Sequence, residues 1–122
     1  MVKIVIADDE QIICKTFQKA LESIGHCAIK CRNGKIAFNV LQDNPDVNLL
    51  ITDYAMPEMN GKELLEQVKA DETLAHIPVL VVSGVLRPKD ISDLLKIGAA
   101  EFMPKPVKIK DLKDFVQKAL SA

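Results

Sequence analysis

Five polar side chains stand at the ends of short apolar runs, in a pattern that suits a divalent cation and a phosphoryl group. Asp8 and Asp9 follow one run, Asp53 and Ser83 follow two others, and Lys105 follows a fourth after a short loop. Short apolar runs separated by helix-length segments indicate buried parallel strands. Because ligands bind beyond the carboxyl ends of such strands, we expect these side chains to meet at one sheet edge. Three carboxylates, a hydroxyl and an ammonium suit a hard cation with phosphate.

Each of these residues also has an ordinary structural explanation when it is taken alone. Asp8, Asp9 and Glu10 could form an acidic N-terminal cap of the next helix, where the helix dipole favours negative charge. Asp53 could be a turn residue, and the serine and lysine could belong to a turn and a solvated loop. Their joint placement at one predicted edge is what favours a functional site.

The apolar periodicity predicts five strands that alternate with five helices. The predicted strands are Lys3–Ala7, Cys27–Cys31, Asn48–Thr52, Val79–Val82 and Ala99–Phe102. The predicted helices run from Glu10 to Ile24, from a cap at Asn33 to about Gln42, from Gly61 onward, from Arg87 to Gly98, and from Ile109 to Leu120. The apolar face of the fourth helix is expected to consist of Ile91, Leu94, Leu95 and Ile97. This alternation favours a doubly wound parallel sheet with helices on both faces.

Composition limits the class of protein. The chain has 122 residues, enough for one domain with a core and too few for two. Its net charge of −1 offers no basic footprint for nucleic acid, and no stretch approaches the roughly 20 apolar residues that span a membrane. The N-terminus enters a strand directly, without a signal-peptide h-region, and predicts a cytoplasmic protein. Cys14, Cys27 and Cys31 lack metal-ligand spacing and are expected to be reduced core thiols.

Four segments together resemble the receiver domain of two-component response regulators, the family that includes the chemotaxis regulators. These segments read IADDE at 6–10, TDYAMPEMNG at 52–61, VSG at 82–84 and FMPKP at 102–106. The stretch from Asp53 to Gly61 is fairly specific by itself, and all four segments in order are very specific. The resemblance implies a flavodoxin-like (βα)5 fold, with a five-stranded parallel sheet in the order 2-1-3-4-5 and a single receiver domain over residues 1–122.

The resemblance implies a role for each matching residue. Asp53 matches the phospho-acceptor. Asp8 and Asp9 match the acidic pair that holds Mg²⁺, together with Asp53 and the backbone carbonyl of Ala55. Ser83 matches the switch hydroxyl that contacts the phosphoryl group.

Three further features come from the same resemblance. Lys105 matches the invariant ammonium, and its peptide bond to Pro106 is expected to be cis. Phe102 matches the aromatic switch position, where a side chain without a hydroxyl would change only its packing. Ala55 and Val85 occupy positions that tune the lifetime of the phosphoryl group in the family, and both are apolar here.

The implied function is phosphoryl acceptance in two-component signal transduction. A histidine kinase or a phosphotransfer protein would donate the group to Asp53. The face made by the fourth helix, fifth strand and fifth helix would then switch toward a downstream effector or a second receiver. The domain would be a signalling module rather than an enzyme, with only self-catalysed phosphoryl transfer and autodephosphorylation, and without nucleic-acid or membrane binding.

Three alternatives use related residues. A phosphatase of the haloacid dehalogenase type also uses an aspartate nucleophile, but at the first strand and within an Asp-x-Asp pattern. A flavin-binding module would need a phosphate loop where Asp8 and Asp9 stand. A receiver-like binding module that works without phosphorylation would not need the intact set of acceptor, acids, hydroxyl and lysine. The sequence leaves open the cognate kinase, the output, and whether the chain is stand-alone or part of a longer protein.

Overall fold

A computed structural model describes residues 2–84 and 86–121, so the expectation for Val85 falls outside the described residues. Within this part of the chain, five strands alternate with five helices. The strands are β1 (Lys3–Ala7), β2 (Cys27–Cys31), β3 (Leu49–Asp53), β4 (Val79–Ser83) and β5 (Glu101–Pro104). The helices are α1 (Gln11–Glu22), α2 (Gly34–Asp43), α3 (Gly61–Ala70), α4 (Pro88–Ile97) and α5 (Ile109–Ser121).

The strands form a parallel sheet in the order β2-β1-β3-β4-β5, which confirms the predicted doubly wound fold. Its register aligns the strand ends. Ala7 lies opposite Thr52, so Asp8 follows β1 at the level where β3 ends. Ser83 closes β4 opposite Pro104, directly before Lys105. The candidate residues are therefore carried to the same edge of the sheet.

The two central strands, β3 and β4, are buried along their whole length, and helices cover both faces of the sheet. On one face, Leu64 of α3 and Leu94 of α4 belong to the same apolar cluster as Val5 of β1. On the other face, Leu21 of α1 and Val116 of α5 belong to the second apolar cluster. Burial on both faces explains why these strands read as continuous apolar runs.

Side-chain caps fix where two of the helices begin. The side chain of Asn33 accepts the Ile36 N–H at 2.8 Å and starts α2. Asn60 and Glu63 form a reciprocal capping box at the start of α3, with N···O distances of 2.8 and 3.1 Å. The second cap ends the loop after β3, so it holds that loop over the strand end.

Some predicted boundaries were wrong. The fifth strand begins two residues later than predicted, because the Ala99 N–H donates to the Leu94 carbonyl and still belongs to the end of α4. The third and fourth strands extend one residue further, to Asp53 and Ser83. Leu95, predicted to be buried, is 48% exposed, whereas Leu94 is 1% exposed.

Candidate functional site

The centre of the site is the ammonium of Lys105, which lies among three carboxylates. Its Nζ is 3.1 Å from Oδ2 of Asp8, 3.2 Å from Oδ1 of Asp53 and 3.5 Å from Oε1 of Glu10. The Asp8 and Asp53 side chains are buried, and Glu10 is exposed. One ammonium thus bridges two buried carboxylates that belong to different strand ends.

The backbone around Asp53 holds its carboxylate in place. Oδ1 of Asp53 accepts the Tyr54 N–H at 2.9 Å, and the Thr52 hydroxyl donates to the Asp53 carbonyl at 2.9 Å. The Gly61 N–H donates to the Tyr54 carbonyl at 2.7 Å, which folds the β3–α3 loop back onto the strand. A Cβ at Gly61 would press against the Asp53 carbonyl oxygen and lie 2.8 Å from the Tyr54 Cα. Only glycine allows this close approach.

Asp8 is held by contacts with the end of β2 and with the start of α1. Its N–H donates to the Cys31 carbonyl at 3.0 Å, its Oδ1 accepts the Glu10 N–H at 2.9 Å, and the Cys14 thiol donates to its carbonyl at 3.3 Å. Glu10 stands at the N-cap of α1 without making a side-chain cap hydrogen bond. The carboxylate of Asp8 therefore contacts Lys105. Helix capping alone does not explain the three consecutive acids at residues 8–10.

The site carries more negative than positive charge. Burial and then the charge of Asp8 raise the pKa of Asp53, and Lys105 opposes this only in part. Burial also raises the pKa of Asp8. Burial by itself lowers the pKa of Lys105, but the hydrogen bond and charge of Asp8, with Asp53, raise it overall. A second cation would therefore be stabilised beside the two carboxylates.

The donor set fits a hard divalent cation. Asp8, Asp9 and Asp53 each offer a carboxylate oxygen, and these oxygens lie within 4.8 Å of one another. Asp9 is exposed, whereas the other two are buried, so the cluster faces solvent through Asp9. Oxygen ligands with room for water are what Mg²⁺ prefers. Ala55 lies in the loop two residues after Asp53 and is exposed.

The remaining predicted residues occupy β4, β5 and the loop that follows. Ser83 is buried at the end of β4, and its carbonyl accepts the Lys105 N–H at 2.8 Å. The peptide bond between Lys105 and Pro106 is cis. Phe102 is half-buried in β5, opposite Val81, and packs against the cluster on the α4 face. Ser83 and Lys105 are thus joined directly, and Phe102 contributes packing.

Sequence reasoning missed three contributors to this site. Glu10 was considered only as a helix cap, although it is the third acid of a consecutive run and reaches Lys105. Thr52 looked like an ordinary strand residue, and its bond to the Asp53 carbonyl has no signal in the sequence. Gly61 was read as a helix start, although its position after the loop also relieves a steric contact.

Among the helices within 2–84 and 86–121, none combines the length and the apolar character needed to cross a bilayer. The longest has 13 residues and carries several charges.

Comparison with known proteins identifies close relatives. The family model for the response regulator receiver domain matches residues 4–117. The two-component response regulator ORR11 of Oryza sativa subsp. indica is 42% identical over 88 residues, which cover 72% of this chain and 60% of the relative. A chemotaxis protein CheY homolog of Campylobacter jejuni is 30% identical over 119 residues, covering 97% and 92%. The chain therefore spans less than two thirds of the length of the rice relative.

Solved structures agree with the sequence relatives. The signal receiver domain of a signal transduction histidine kinase from Syntrophus aciditrophicus has a TM-score of 0.91 and 31% identity, covering 99% of this chain and 91% of that one. These comparisons give no support to the phosphatase alternative or to a module that acts without phosphorylation.

Proposed function

This chain belongs to the response regulator receiver domain family of two-component signal transduction, and we propose that Asp53 is its phospho-acceptor. The observation that carries the proposal is the contact of Lys105 with both Asp53 and Asp8, next to the exposed carboxylate of Asp9. A nucleophile, a fixed positive charge and a cation-binding set then lie at one strand edge. The domain acts as a signalling module.

The transfer step follows from the chemistry of the carboxylate. An oxygen of Asp53 forms the new bond to phosphorus, while the bond from phosphorus to the donor breaks and the donor leaves with the electron pair. Mg²⁺, held by Asp8, Asp9, Asp53 and the Ala55 carbonyl, would supply the positive charge that lets two anions approach. In autodephosphorylation, a water oxygen forms the new bond to phosphorus, the bond from phosphorus to the Asp53 oxygen breaks, and Asp53 leaves as a carboxylate while the water loses its proton to solvent.

The chain's own groups supply positioning and charge. Lys105 is held by two carboxylates, so its ammonium is in place before a donor arrives and need not reorganise. The hydroxyl of Ser83 stands at the neighbouring strand end, where it can donate to a phosphoryl oxygen. Phosphoryl transfer requires mainly positioning and charge stabilisation, which this small set provides.

The proposed function also requires a protein that donates the phosphoryl group and a surface that binds the downstream partner. A histidine kinase or a phosphotransfer protein supplies the phosphoryl group. A downstream effector or a second receiver binds the face made by α4, β5 and α5. Support comes from the exposed Leu95 on α4 and from a cavity of about 520 Å³ between β5 and α5, which Phe102 and Lys118 help to line. The free thiols of Cys14 and Cys31 agree with a cytoplasmic protein.

The acceptor is tested by mass spectrometry after treatment with acetyl phosphate and Mg²⁺. Wild type should gain one phosphoryl group, and Asp53→Asn should gain none. Asp46→Asn is a matched control, since Asp46 is an exposed aspartate paired with Lys3, and it should be labelled like wild type. Equal labelling of Asp53→Asn, with the same lifetime, would show that the acceptor lies elsewhere.

The cation site has its own test. Titration of the unphosphorylated protein with Mg²⁺ should perturb the fluorescence of Tyr54, which directly follows the acceptor. Asp9→Ala should weaken this binding, because it removes one of the three clustered oxygens. An unchanged Mg²⁺ affinity in Asp9→Ala would remove Asp9 from the ligand set.

A further inference from the structure

A cavity of about 380 Å³ opens beside Asp8, on the side of the site toward β2. Asp8 and Gln11 line it together with two cationic residues, Lys30 and Arg32. Its volume lies at the lower end of the range of small-molecule sites. The proposed transfer uses Asp8, but it assigns no role to the two cationic residues.

Lys30 and Arg32 belong to a segment whose charged residues are all positive. Residues 23–42 contain Lys30, Arg32 and Lys35 but no aspartate or glutamate. Lys30 and Arg32 are exposed at the end of β2. Among the residues that the structure describes, neither of them takes part in a salt bridge.

The reacting centre has the opposite balance. Lys105 is shared among Asp8, Asp53 and Glu10, and Asp9 adds a further carboxylate. Four carboxylates outweigh Lys105 here, and one excess negative charge remains even when a bound Mg²⁺ is counted, so the net charge of this centre does not attract a dianionic donor. In the lining of the adjoining cavity, Lys30 and Arg32 place two positive charges against the single carboxylate of Asp8. An excess of positive charge in a cleft raises the local concentration of negatively charged substrates.

The two cationic residues share this cavity with a group of the reacting centre. Asp8 and the buried Cys14 line it together with Lys30 and Arg32. The two positive charges therefore border the same space as the Asp8 carboxylate.

We propose that Lys30 and Arg32 form a steering subsite for small dianionic phosphodonors of the acyl phosphate class. The inference rests on the proposed function and deepens it, because it names the donor class that this side of the site favours. The two residues are positioning residues: they attract and orient the donor and do not take part in bond making. In the step that follows, an Asp53 oxygen bonds to phosphorus, the bond from phosphorus to the acyl oxygen breaks, and the carboxylate leaves with the electron pair.

The decisive experiment compares donors of different charge. The second-order rate of Asp53 labelling is measured with acetyl phosphate and with phosphoramidate, which carries one fewer negative charge, at several salt concentrations and fixed Mg²⁺. In the double variant Lys30→Gln, Arg32→Gln the rate with acetyl phosphate should fall about tenfold and lose most of its salt dependence. The rate with phosphoramidate should fall much less.

Matched variants separate steering from folding. The charge-preserving pair Lys30→Arg, Arg32→Lys should keep the wild-type rate and salt dependence. The pair Lys108→Gln, Lys110→Gln removes the same charge from exposed positions at the start of α5, and it should leave both unchanged. A loss of rate in the charge-preserving pair would mean that side-chain shape matters rather than charge, and would overturn the proposal.

A binding measurement adds a readout that does not depend on transfer. Inorganic phosphate without Mg²⁺ should shift the amide signals of Lys30 to Asn33 in wild type, and much less in the double glutamine variant. Absence of these shifts, or a wild-type rate in that variant, overturns the steering role while Asp53 labelling still stands. A rate that falls only with a phosphohistidine protein as donor also overturns it. Labelling of Asp53→Asn would instead refute the proposed function.

Discussion

Lys105 and Asp53 meet through a 3.2 Å contact between Nζ and Oδ1, so the β5–α5 loop is tied to the end of β3. The same ammonium is 3.1 Å from Oδ2 of Asp8. One ammonium thus contacts two buried carboxylates, and it is already in place before any phosphoryl group arrives.

Replacing Lys105 by methionine should therefore slow phosphorylation strongly. Methionine has a similar length but leaves Asp8 and Asp53 without their positive partner. We expect the rate of labelling by acetyl phosphate to fall about 10²-fold, the usual scale for loss of one preorganised charged donor. Lys118→Met, an exposed α5 lysine, is the control and should keep the wild-type rate. A rate in Lys105→Met within twofold of wild type would contradict the role of the ammonium.

Stability should depend on pH through Asp53. Burial, and then the charge of Asp8, raise its pKa above the usual 3.8. The folded state then holds the proton more tightly than the unfolded chain. The free energy of unfolding therefore falls as pH rises from 3.8 through the folded pKa. Asp53→Asn removes this loss, so without Mg²⁺ it should be more stable than wild type at pH 7 by about 1 kcal/mol. The difference should shrink at pH 4.

Asp46→Asn should show the opposite pH dependence. In both variants and wild type, the free energy of unfolding is measured by urea denaturation at pH 4 and pH 7. The hydrogen bond from Lys3 lowers the pKa of Asp46, so this carboxylate contributes stability above its unfolded pKa and loses it as pH falls. The Asp46 variant should therefore gain nothing at pH 7. A stability difference between Asp53→Asn and wild type that is equal at pH 4 and pH 7 would show that burial of the Asp53 charge is not its cause.

Gly61→Ala tests the close approach behind the acceptor. The added methyl group would press on the Asp53 carbonyl and the Tyr54 Cα. We expect a loss of about 1–3 kcal/mol in the free energy of unfolding, as for overpacked sites, together with slower labelling because Asp53 is displaced. A Cβ at Gly84 meets nothing within 4 Å, so Gly84→Ala should stay within about 0.5 kcal/mol of wild type. Equal effects of the two changes would refute the steric account.

The predictable part of the fold follows from burial. Strands buried on both faces leave unbroken apolar runs, so both ends of the first four strands were located within one residue. The sheet order followed from the family resemblance. The fifth strand was misplaced because Ala99 and Ala100 read as apolar in either state. Only the Ala99 hydrogen bond to the Leu94 carbonyl assigns Ala99 to the end of α4.

The site was predictable where it consists of charged residues at strand ends, as for Asp8 and Lys105. It was not predictable where it depends on backbone contacts. The Thr52 hydrogen bond forms within the last two residues of β3, and the contact at Gly61 arises from the path of the loop that follows. The exposure of Leu95 was not predictable either. The helical repeat identifies an apolar stripe but does not show which edge of the stripe stays exposed to solvent.

Glu58 offers a way to stabilise the loop beside the acceptor. Its φ is +68°, a left-handed conformation that costs an L-residue roughly 1–2 kcal/mol and that asparagine adopts more readily. Glu58→Asn should therefore raise the free energy of unfolding by up to about 1 kcal/mol, measured from the urea midpoint. The same change at exposed Glu66, inside α3, should instead cost a few tenths of a kcal/mol, roughly the difference in helix propensity. A loss of stability in Glu58→Asn would contradict the assignment of strain.

The last prediction concerns the coupling between the acceptor and the α4-β5-α5 face. Phosphorylation should draw Ser83 toward the phosphoryl oxygen, and Phe102 should rotate inward into the space vacated beneath α4. Phe102 is half-buried now, and it has no hydroxyl that burial would leave without a partner. A population shift needs only a bias of about 1–3 kcal/mol, which a bound phosphoryl group can supply.

A single tryptophan can report this motion, because the chain contains none. In Phe102→Trp, beryllofluoride with Mg²⁺ should shift the emission to shorter wavelength as the ring becomes buried. In Phe38→Trp, on α2, the emission should stay unchanged. Amide signals of wild type should move along residues 86–112 under the same conditions. Changes restricted to the loops around Asp9 and Asp53, with α4 and Phe102 unaffected, would exclude this route and leave the output to another face of the domain.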